Sequence, residues 1–512
     1  MLLKTNGKLK MINKIGFSSY QLAGVSDVLV NAWQMYFYTT FCNASIVTVT
    51  LMITIGKLIG ATLTPVVGYI SDNLYKTRYG KRFGRRKGIL LIGIPLKVLT
   101  FPLYWIPNMP IAYYASIIII TSFINPLLAV PQATFAAEMS ENPVERAELI
   151  GFNQIGAAIA GISSSLIIIK LFDVFGQNNA GTFFIAAIIY DVISLIAFTC
   201  FYLSVYERPV NESNVKVVRG KMSFKNGFLG IINDFASTIK IRSYRLYLCM
   251  YLSEQMFRSL AGTINTYFIV FVLLLNPKSV SISTSVGFVF GIMFLTFYIW
   301  LTAKKTGTFT YRIGGFATII VLVCFMGLGI IRPTNTNIFL VILTVALNFG
   351  KTGLVNAAQF LFTFMPDIDE MITGKRREGA YAGVNTFLDV IFSTIEVMII
   401  GLILQAAGFL KGAKVQPQIT VHALLILYTV VPIILVIIGI ISSYKLNLTV
   451  KSHMILEEEV NRLKNGGLKE DATEEIKVIV KDLTGFNYEE CWGNNNLLKY
   501  EHENRVQINK QG

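Results

Sequence analysis

The feature that most constrains this chain is a succession of twelve long apolar segments separated by short polar loops. A helix crosses the hydrocarbon core of a bilayer when about 20 consecutive residues are predominantly apolar. Composition agrees, because 53% of the 512 residues are hydrophobic and only 15% are charged, whereas a soluble domain has about 25% charged residues. The predicted spans are 16–41, 45–72, 87–106, 112–139, 147–173 and 181–206, followed by 241–275, 283–304, 311–332, 336–365, 379–410 and 419–446.

The spans are predicted to be α-helices, because a backbone surrounded by lipid must satisfy its polar groups internally. They are too long and too uniformly apolar for barrel strands, whose hydrophobicity alternates over about 10 residues. We therefore expect an all-α membrane protein with twelve transmembrane helices, surrounded by a lipid bilayer.

Basic residues concentrate in every second loop, most densely in the segment YKTRYGKRFGRRK at 75–87. Cytoplasmic loops carry an excess of Lys and Arg, so this alternation sets the orientation. The sequence predicts a multi-pass protein of the cell membrane with both termini in the cytoplasm.

Six spans, a polar linker and six further spans predict two halves around a central cavity, the architecture of the major facilitator superfamily. The predicted divisions are a first half at 1–206, a cytoplasmic linker at 207–240, a second half at 241–446 and a cytoplasmic tail at 447–512. Segments 453–464 and 473–484 have the pattern of short amphipathic helices. The tail is interpreted as loosely docked, and a tail-binding partner is left open.

One face of the first span carries a polar stripe: Asp27, Asn31, Gln34 and Tyr38. Such a stripe either binds a polar solute or fixes neighbouring helices through hydrogen bonds. We predict substrate contacts at Asp27, Asn31 and Gln34. Trp33 is a further candidate, because its ring could stack on the apolar face of a solute, although an aromatic residue at helical spacing also suits packing.

A second polar stripe lies in the eleventh span: Asn385, Asp389, Ser393 and Glu396. A carboxyl group within the membrane can exchange a proton or accept hydrogen bonds from a substrate hydroxyl. The sequence predicts a substrate contact at Asn385 and cation coupling at Asp389 and Glu396, shared with Asp27 of the first span.

Other charges inside the spans have competing interpretations. Lys57 is assigned to cation coupling, either as the ionic partner of Asp27 or as a balance for an anionic cargo. Lys97 is interpreted as a shallow residue whose amine reaches the membrane interface. Glu254 and Arg258 lie four residues apart on one helix face, so they could simply neutralise each other.

Enzymatic function has no support in the sequence, which contains no phosphate-binding loop and no nucleophile elbow. The five cysteines form no CxxC pair, and the three histidines all lie in the second half of the chain, so we expect neither a metal site nor a cofactor. The net charge of +15 resides largely in the loops between the apolar segments and is interpreted as a topology signal rather than as a nucleic-acid surface.

Two segments carry a specific family resemblance: VPQATFAAEMSENPVERAEL at 130–149 and PDIDEMITGKRREGAYAGVNTF at 366–387. Together with YFYT at 36–39 and PVVG at 65–68, they resemble the glycoside–pentoside–hexuronide:cation symporters of the major facilitator superfamily. The matches occur in both halves and in the family's order. The resemblance implies cytoplasmic gates formed by Asp72, Arg78, Glu138, Arg146, Asp367 and Arg376.

The departures from the family pattern bear on mechanism. The family's two cation-binding Asp residues of the second span fall here at Gly60 and Thr64, whereas its basic residue is kept as Lys57. The family's sugar-binding Arg falls near Asn153 or Gln154, and we assign the substrate contact to Asn153. A sodium site without carboxylates lacks the charged oxygen ligands that a hard cation requires, so protons are favoured over sodium.

The leading interpretation is a secondary active transporter that moves a small polar solute by alternating access. The resemblance implies a sugar or glycoside as cargo. Two alternatives stay open: export of a non-sugar amphipathic or peptide-like compound, and a sensor that keeps the carrier fold without transport.

Overall fold

The computed structural model describes residues 4–5, 8–140, 143–207, 235–375 and 377–494, most of them helical. The first half contains α1 (Met11–Leu22), α2 (Val25–Thr40), α3 (Ile46–Asn73), α4 (Arg78–Phe83), α5 (Lys87–Thr100), α6 (Ile111–Met139), α7 (Pro143–Phe175) and α8 (Ala180–Ser204). The second half contains α9 (Arg242–Tyr267), α10 (Pro277–Lys304), α11 (Gly307–Ile331), α12 (Thr336–Phe362), α13 (Met365–Thr373), α14 (Glu378–Ala406), α15 (Gln418–Tyr428) and α16 (Val430–Lys445). The tail contains α17 (Val450–Lys464) and α18 (Glu474–Thr484).

Short elements connect and flank these helices. Strands β1 (Lys4–Thr5) and β2 (Lys8–Leu9) form an antiparallel pair. Single helical turns of 3₁₀ type occupy Leu74–Lys76, Pro102–Trp105, Lys469–Asp471 and Tyr488–Glu490, and a π-helical turn at Phe268–Val272 continues α9.

The predicted spans are confirmed as helices, and ten helical segments of the described chain are long and apolar enough to cross a membrane. The two remaining predictions, 16–41 and 241–275, are the first spans of their halves. The former divides into α1 and α2 at Ala23 and Gly24, and the latter is rich in Tyr, Ser and charged residues. Because α2 and α9 pack against each other between the halves, they do not need a fully apolar surface.

Besides α2 and α9, the two halves meet along the helix pairs α3 with α14 and α7 with α10. Glycine permits the close approach at both contacts. A Cβ atom on Gly401 would lie 2.0 Å from the hydroxyl of Thr50, and one on Gly161 would lie 2.4 Å from the ring of Phe288. Small residues at crossings are the usual means by which membrane helices approach closely.

We call the end of the bundle where α3 ends and α14 begins the basic face, and the other end the opposite face. Hydrogen bonds join the halves at the opposite face: the hydroxyls of Thr39 and Tyr267 are 2.8 Å apart, and the Gly412 amide donates to the Thr39 carbonyl at 2.9 Å. The amine of Lys278 lies 2.7 Å from the carboxylate of Asp173. The bundle is therefore closed at the opposite face.

The described part of the tail, residues 447–494, is folded against the second half, so the interpretation of a loosely docked tail is wrong for these residues. The predicted helices at 453–464 and 473–484 correspond to α17 and α18, and they bury Leu456 and Val480 completely. His453 Nε2 lies 2.9 Å from Asp367 Oδ2. Apolar residues at helical spacing gave α17 and α18 their amphipathic pattern. Their apolar faces pack against α13 and the start of α9.

Candidate functional site

The polar stripe of the first span lies on α2, where some of its side chains are exposed and others are buried. Asp27 lies in the first turn of α2, where the helix dipole favours a negative charge, and its side chain is 62% exposed. Asn31, one turn further on, is also exposed. Helix α2 packs against α9 of the second half.

Gln34 and Trp33 are both buried. The indole of Trp33 packs edge-on against Phe172 and is also in contact with Phe183. This places Trp33 in the aromatic core of the first half, the packing role that the sequence left open, and takes it away from the cavity.

The ionic partner of Asp27 is Lys97 and not Lys57. Lys97 Nζ lies 3.2 Å from Asp27 Oδ1 and 3.0 Å from Asn125 Oδ1. Lys97 is 9% exposed, so the interpretation as a shallow residue at the interface is also wrong. Asp191 of α8 interacts electrostatically with the same amine.

The residues of the polar stripe on α14, the eleventh span, make different kinds of contact. The side chain of Asn385 accepts a hydrogen bond from Tyr244 at 3.0 Å and donates one to Tyr247 at 2.9 Å. Both amide atoms are thereby engaged with α9. The predicted substrate contact at Asn385 therefore competes with a structural bond between helices.

Asp389 and Glu396 line a narrow cleft between α9 and α14. Gln255 donates a 2.6 Å hydrogen bond to Asp389. Glu396 is 6% exposed, and neither of its carboxylate oxygens has a hydrogen-bond partner among the residues that the structure describes; Ser259 is close by without hydrogen-bond geometry. Lys57, on α3 of the other half, is within electrostatic range of both carboxylates.

Sequence reasoning missed Lys351 and Gln255. Lys351 lies in the middle of α12 and interacts electrostatically with Glu254 and Arg258 of α9. Arg258 Nε is 3.4 Å from Glu254 Oε1, which bears out their expected pairing. A lysine near the centre of a span was a usable signal for Lys351, because intramembrane charges mark function, whereas Gln255 offered none.

Two positions in the first half fall where the resembled symporter family has a sugar-binding Arg and a cation-binding Asp. The side-chain oxygen of Asn153 on α7 is buried, and no described residue forms a hydrogen bond with it. The hydroxyl of Thr64 donates to the carbonyl of Gly60 within α3 at 2.9 Å, so its proton is used by its own helix.

Three of the expected gate residues at the basic face make contacts that the structure describes. Glu138 pairs with Arg85, and with Arg86 at 3.1 Å. Arg146 donates to the Ser140 carbonyl at 2.7 Å, and Asp367 contacts the tail through His453. Arg78 is exposed. The side chain of Asp72 and all of Arg376 lie outside the described residues.

A family model described as MFS/sugar transport protein matches residues 18–450. The chain belongs to the MFS/sugar transport protein family. Membership shows a membrane carrier rather than an enzyme, and it confirms the expected fold class of two six-helix halves. In the part of the chain that the structure describes, no three His, Cys, Asp or Glu side chains group as metal ligands.

Relatives of this MFS/sugar transport protein support the resemblance found in the sequence. The uncharacterised symporter YnaJ of Bacillus subtilis is 20% identical over 473 residues, which cover 90% of this chain and 96% of YnaJ. The isoprimeverose transporter of Lactiplantibacillus pentosus is 26% identical over 222 residues, 40% of this chain and 45% of that protein. These names agree with the resemblance to the symporter family.

Solved structures show the same fold at low identity. A POT family transporter in complex with 5-aminolevulinic acid has a TM-score of 0.58 at 14% identity, covering 87% of this chain and 98% of that one. A bacterial homologue of the human lysosomal transporter Spinster, inward-facing and occupied, has a TM-score of 0.55 at 11% identity, covering 88% and 97%.

Proposed function

We propose that the protein is a proton-coupled secondary transporter of a sugar, glycoside or related polar solute. The observation that carries the proposal is the carboxyl group of Glu396, which is buried without a hydrogen-bond partner in the described part of the chain and faces Lys57 across the contact between the halves. An uncompensated charge is costly in a membrane interior. The negative charge of Glu396 can be neutralised by a bound proton or balanced by the ammonium group of Lys57.

Proton binding to Glu396 would be linked to the movement of the halves. Glu396 belongs to α14 and Lys57 to α3, so their attraction favours the present arrangement. Protonation removes that attraction and lowers the cost of separating α3 from α14. Asp389, in the same cleft, extends the coupling site.

The solute would bind between the halves, against Asp27 and Asn31, with Gln34 and Asn153 nearby in the first half. Both exposed side chains offer hydrogen bonds to hydroxyl groups. Their exposure, together with closure at the opposite face, fits a cavity open to the basic face.

The basic face would lie in the cytoplasm of a cell with this protein in its plasma membrane. The present conformation is then inward-open, and alternating access requires the contacts of the opposite face to part. The linker at 207–240 and the tail at 447–512 would also be cytoplasmic. Gate residues such as Glu138 and Arg146 would change partners when the basic face closes.

The test is solute uptake by proteoliposomes under separately imposed proton and sodium gradients, with a panel of labelled sugars and glycosides. Glu396→Gln should abolish proton-driven accumulation while exchange of labelled for unlabelled solute continues. Glu148→Gln is the matched control, because this exposed carboxylate pairs only with Lys14 among described residues. Sodium-dependent uptake that is unchanged in Glu396→Gln would refute the proposal.

A further inference from the structure

Four helices of the first half contribute to the surroundings of the Lys97 amine, which belongs to α5. Its Nζ atom lies 3.2 Å from Oδ1 of Asp27 on α2 and 3.0 Å from Oδ1 of Asn125 on α6. Asp191 of α8 interacts electrostatically with the same amine. Because Lys97 is only 9% exposed, these neighbours fix the position of its ammonium group.

The two residues that contact Lys97 directly are themselves exposed. The side chain of Asp27 is 62% exposed. Asn125 is also exposed, although it lies near the middle of an apolar span. Polar groups within a span face water or the interior of the bundle rather than lipid. Lys97 therefore lies beneath two polar side chains that a solute in the bundle can reach.

The contact with Lys97 determines which atoms of Asn125 and Asp27 are available. An ammonium group only donates hydrogen bonds, so Asn125 turns its oxygen towards Lys97 and its amide nitrogen away. That nitrogen forms no hydrogen bond with a described residue. Lys97 contacts Oδ1 of Asp27, and no described residue donates to Oδ2. The pair thus presents one acceptor and one donor group, and the two side chains are neighbours because both contact the same nitrogen.

We propose that Lys97 is a positioning residue, which holds Asp27 and Asn125 side by side so that they bind two adjacent hydroxyl groups of the solute. One hydroxyl donates to Oδ2 of Asp27, and the other accepts from Nδ2 of Asn125. A hydroxyl group can do either, and a hydrogen bond to a carboxylate is among the stronger ones. The inference rests on the proposed binding of the solute at Asp27 and adds Asn125 to the residues that bind it.

Removal of the ammonium group would release both side chains. The amide of Asn125 would then be able to rotate and present either of its polar atoms, and Asp27 would lose the contact at Oδ1. Asp191 cannot replace Lys97, because it has the same charge type as Asp27. Solute binding would weaken, whereas the movement of the halves would not depend on this contact. The effect should therefore appear in KM more than in the maximal rate.

The test is exchange of labelled for unlabelled sugar in proteoliposomes, with methyl β-D-glucoside, methyl β-D-galactoside and methyl β-D-xyloside as probes. Exchange needs no ion gradient, so the result does not depend on proton coupling. Lys97→Met and Asn125→Asp should each raise KM by about tenfold or more for a sugar that the parent exchanges, the scale of a lost hydrogen bond to a charged group. Asn125→Asp keeps the size of the side chain and an oxygen towards Lys97, and it removes the donor.

Deoxy analogues of the exchanged sugar then identify the two hydroxyl groups. The increase in KM caused by Asn125→Asp should disappear for the analogue that lacks the hydroxyl bound by Asn125, and it should persist for analogues that lack a remote hydroxyl. A purely structural role of Asn125 would raise KM equally for all analogues. Lys170→Met and Asn461→Asp are the matched controls, since Lys170 on α7 and Asn461 on α17 are exposed.

The outcomes separate this inference from the proposed function. A parent protein that exchanges none of the three sugars overturns sugar transport as proposed and the inference with it. Exchange by the parent with an unchanged KM in Lys97→Met overturns the positioning role alone. A lower maximal rate at unchanged KM, or an equal increase in KM for every deoxy analogue, would also overturn it.

Discussion

The pair of Asp27 and Lys97 joins two spans of the first half through one ionic contact. Lys97 is buried, whereas the side chain of Asp27 is 62% exposed. Exposed ion pairs contribute roughly 0–1 kcal/mol, and breaking a buried pair costs roughly 3–5 kcal/mol. The contribution of this half-exposed pair to the free energy of unfolding should lie between those limits. The loss should be larger when Asp27 is removed, because Lys97 then remains buried without its ionic partner.

Asp27→Asn should therefore destabilise the protein more than the double variant Asp27→Asn with Lys97→Met. The reason is that the double variant leaves no buried charge without a partner. Denaturant unfolding in detergent micelles, analysed as a double-mutant cycle, measures the coupling. Additive effects of the two substitutions would contradict the pairing.

Helical periodicity along the sequence is sufficient to group several of the site residues correctly. Asp27 and Asn31 share an exposed face, and Asp389 and Glu396 share a cleft. Spacing along one helix fixes which residues share a face. It carries no information on the neighbouring helix, which is why Lys97 was assigned to the interface and Lys351 was overlooked.

At the scale of elements, the tail depends on Glu459 of α17. Its carboxylate is buried and receives two 2.8 Å hydrogen bonds from Arg462, with a further bond from Tyr488. Burial alone would raise the pKa of Glu459, but the bonds from Arg462 and Tyr488 outweigh it and hold the pKa below its usual value. The contact thus links α17 to the chain after α18.

Acid should release this part of the tail. A carboxyl group whose pKa is lowered by folding adds stability above its unfolded pKa of about 4.3 and loses it as the pH falls through the folded value. The protection of residues 450–490 against hydrogen exchange, measured relative to the intrinsic exchange rate at each pH, should therefore fall below about pH 4. Glu459→Gln should exchange faster at neutral pH and lose this acid dependence, whereas Glu457→Gln, an exposed control, should behave like the parent. Identical profiles in all three proteins would count against the contact.

At the scale of the whole molecule, the halves are held together at the opposite face by few polar contacts. Lys278 at the start of α10 reaches Asp173 near the end of α7, and Lys411 donates to the Asn43 carbonyl at 3.2 Å. Aromatic rings of Tyr36, Tyr267 and Phe409 pack behind them. Separation of the halves at this face would break every one of these contacts.

Cross-linking across this face should stop transport. The double variant Asp173→Cys with Lys278→Cys, treated with a short reversible bis-methanethiosulfonate, should lose solute flux and regain it after reduction. Each single variant treated in the same way is the control, since the native Cys42 and Cys491 are buried and the other three cysteines occupy separate exposed positions. Full flux in quantitatively cross-linked protein would show that this face does not open.

The sequence by itself determined the all-α membrane fold, the spans and the division into halves. Bilayer thickness and backbone hydrogen bonding act on each segment independently of its neighbours, so hydropathy along the chain was sufficient. Only the tertiary structure decided which charges meet, that Trp33 packs in an aromatic core, and that the tail is docked. Those outcomes depend on the rotation of each helix against its neighbours, which arises from packing between residues far apart in the chain.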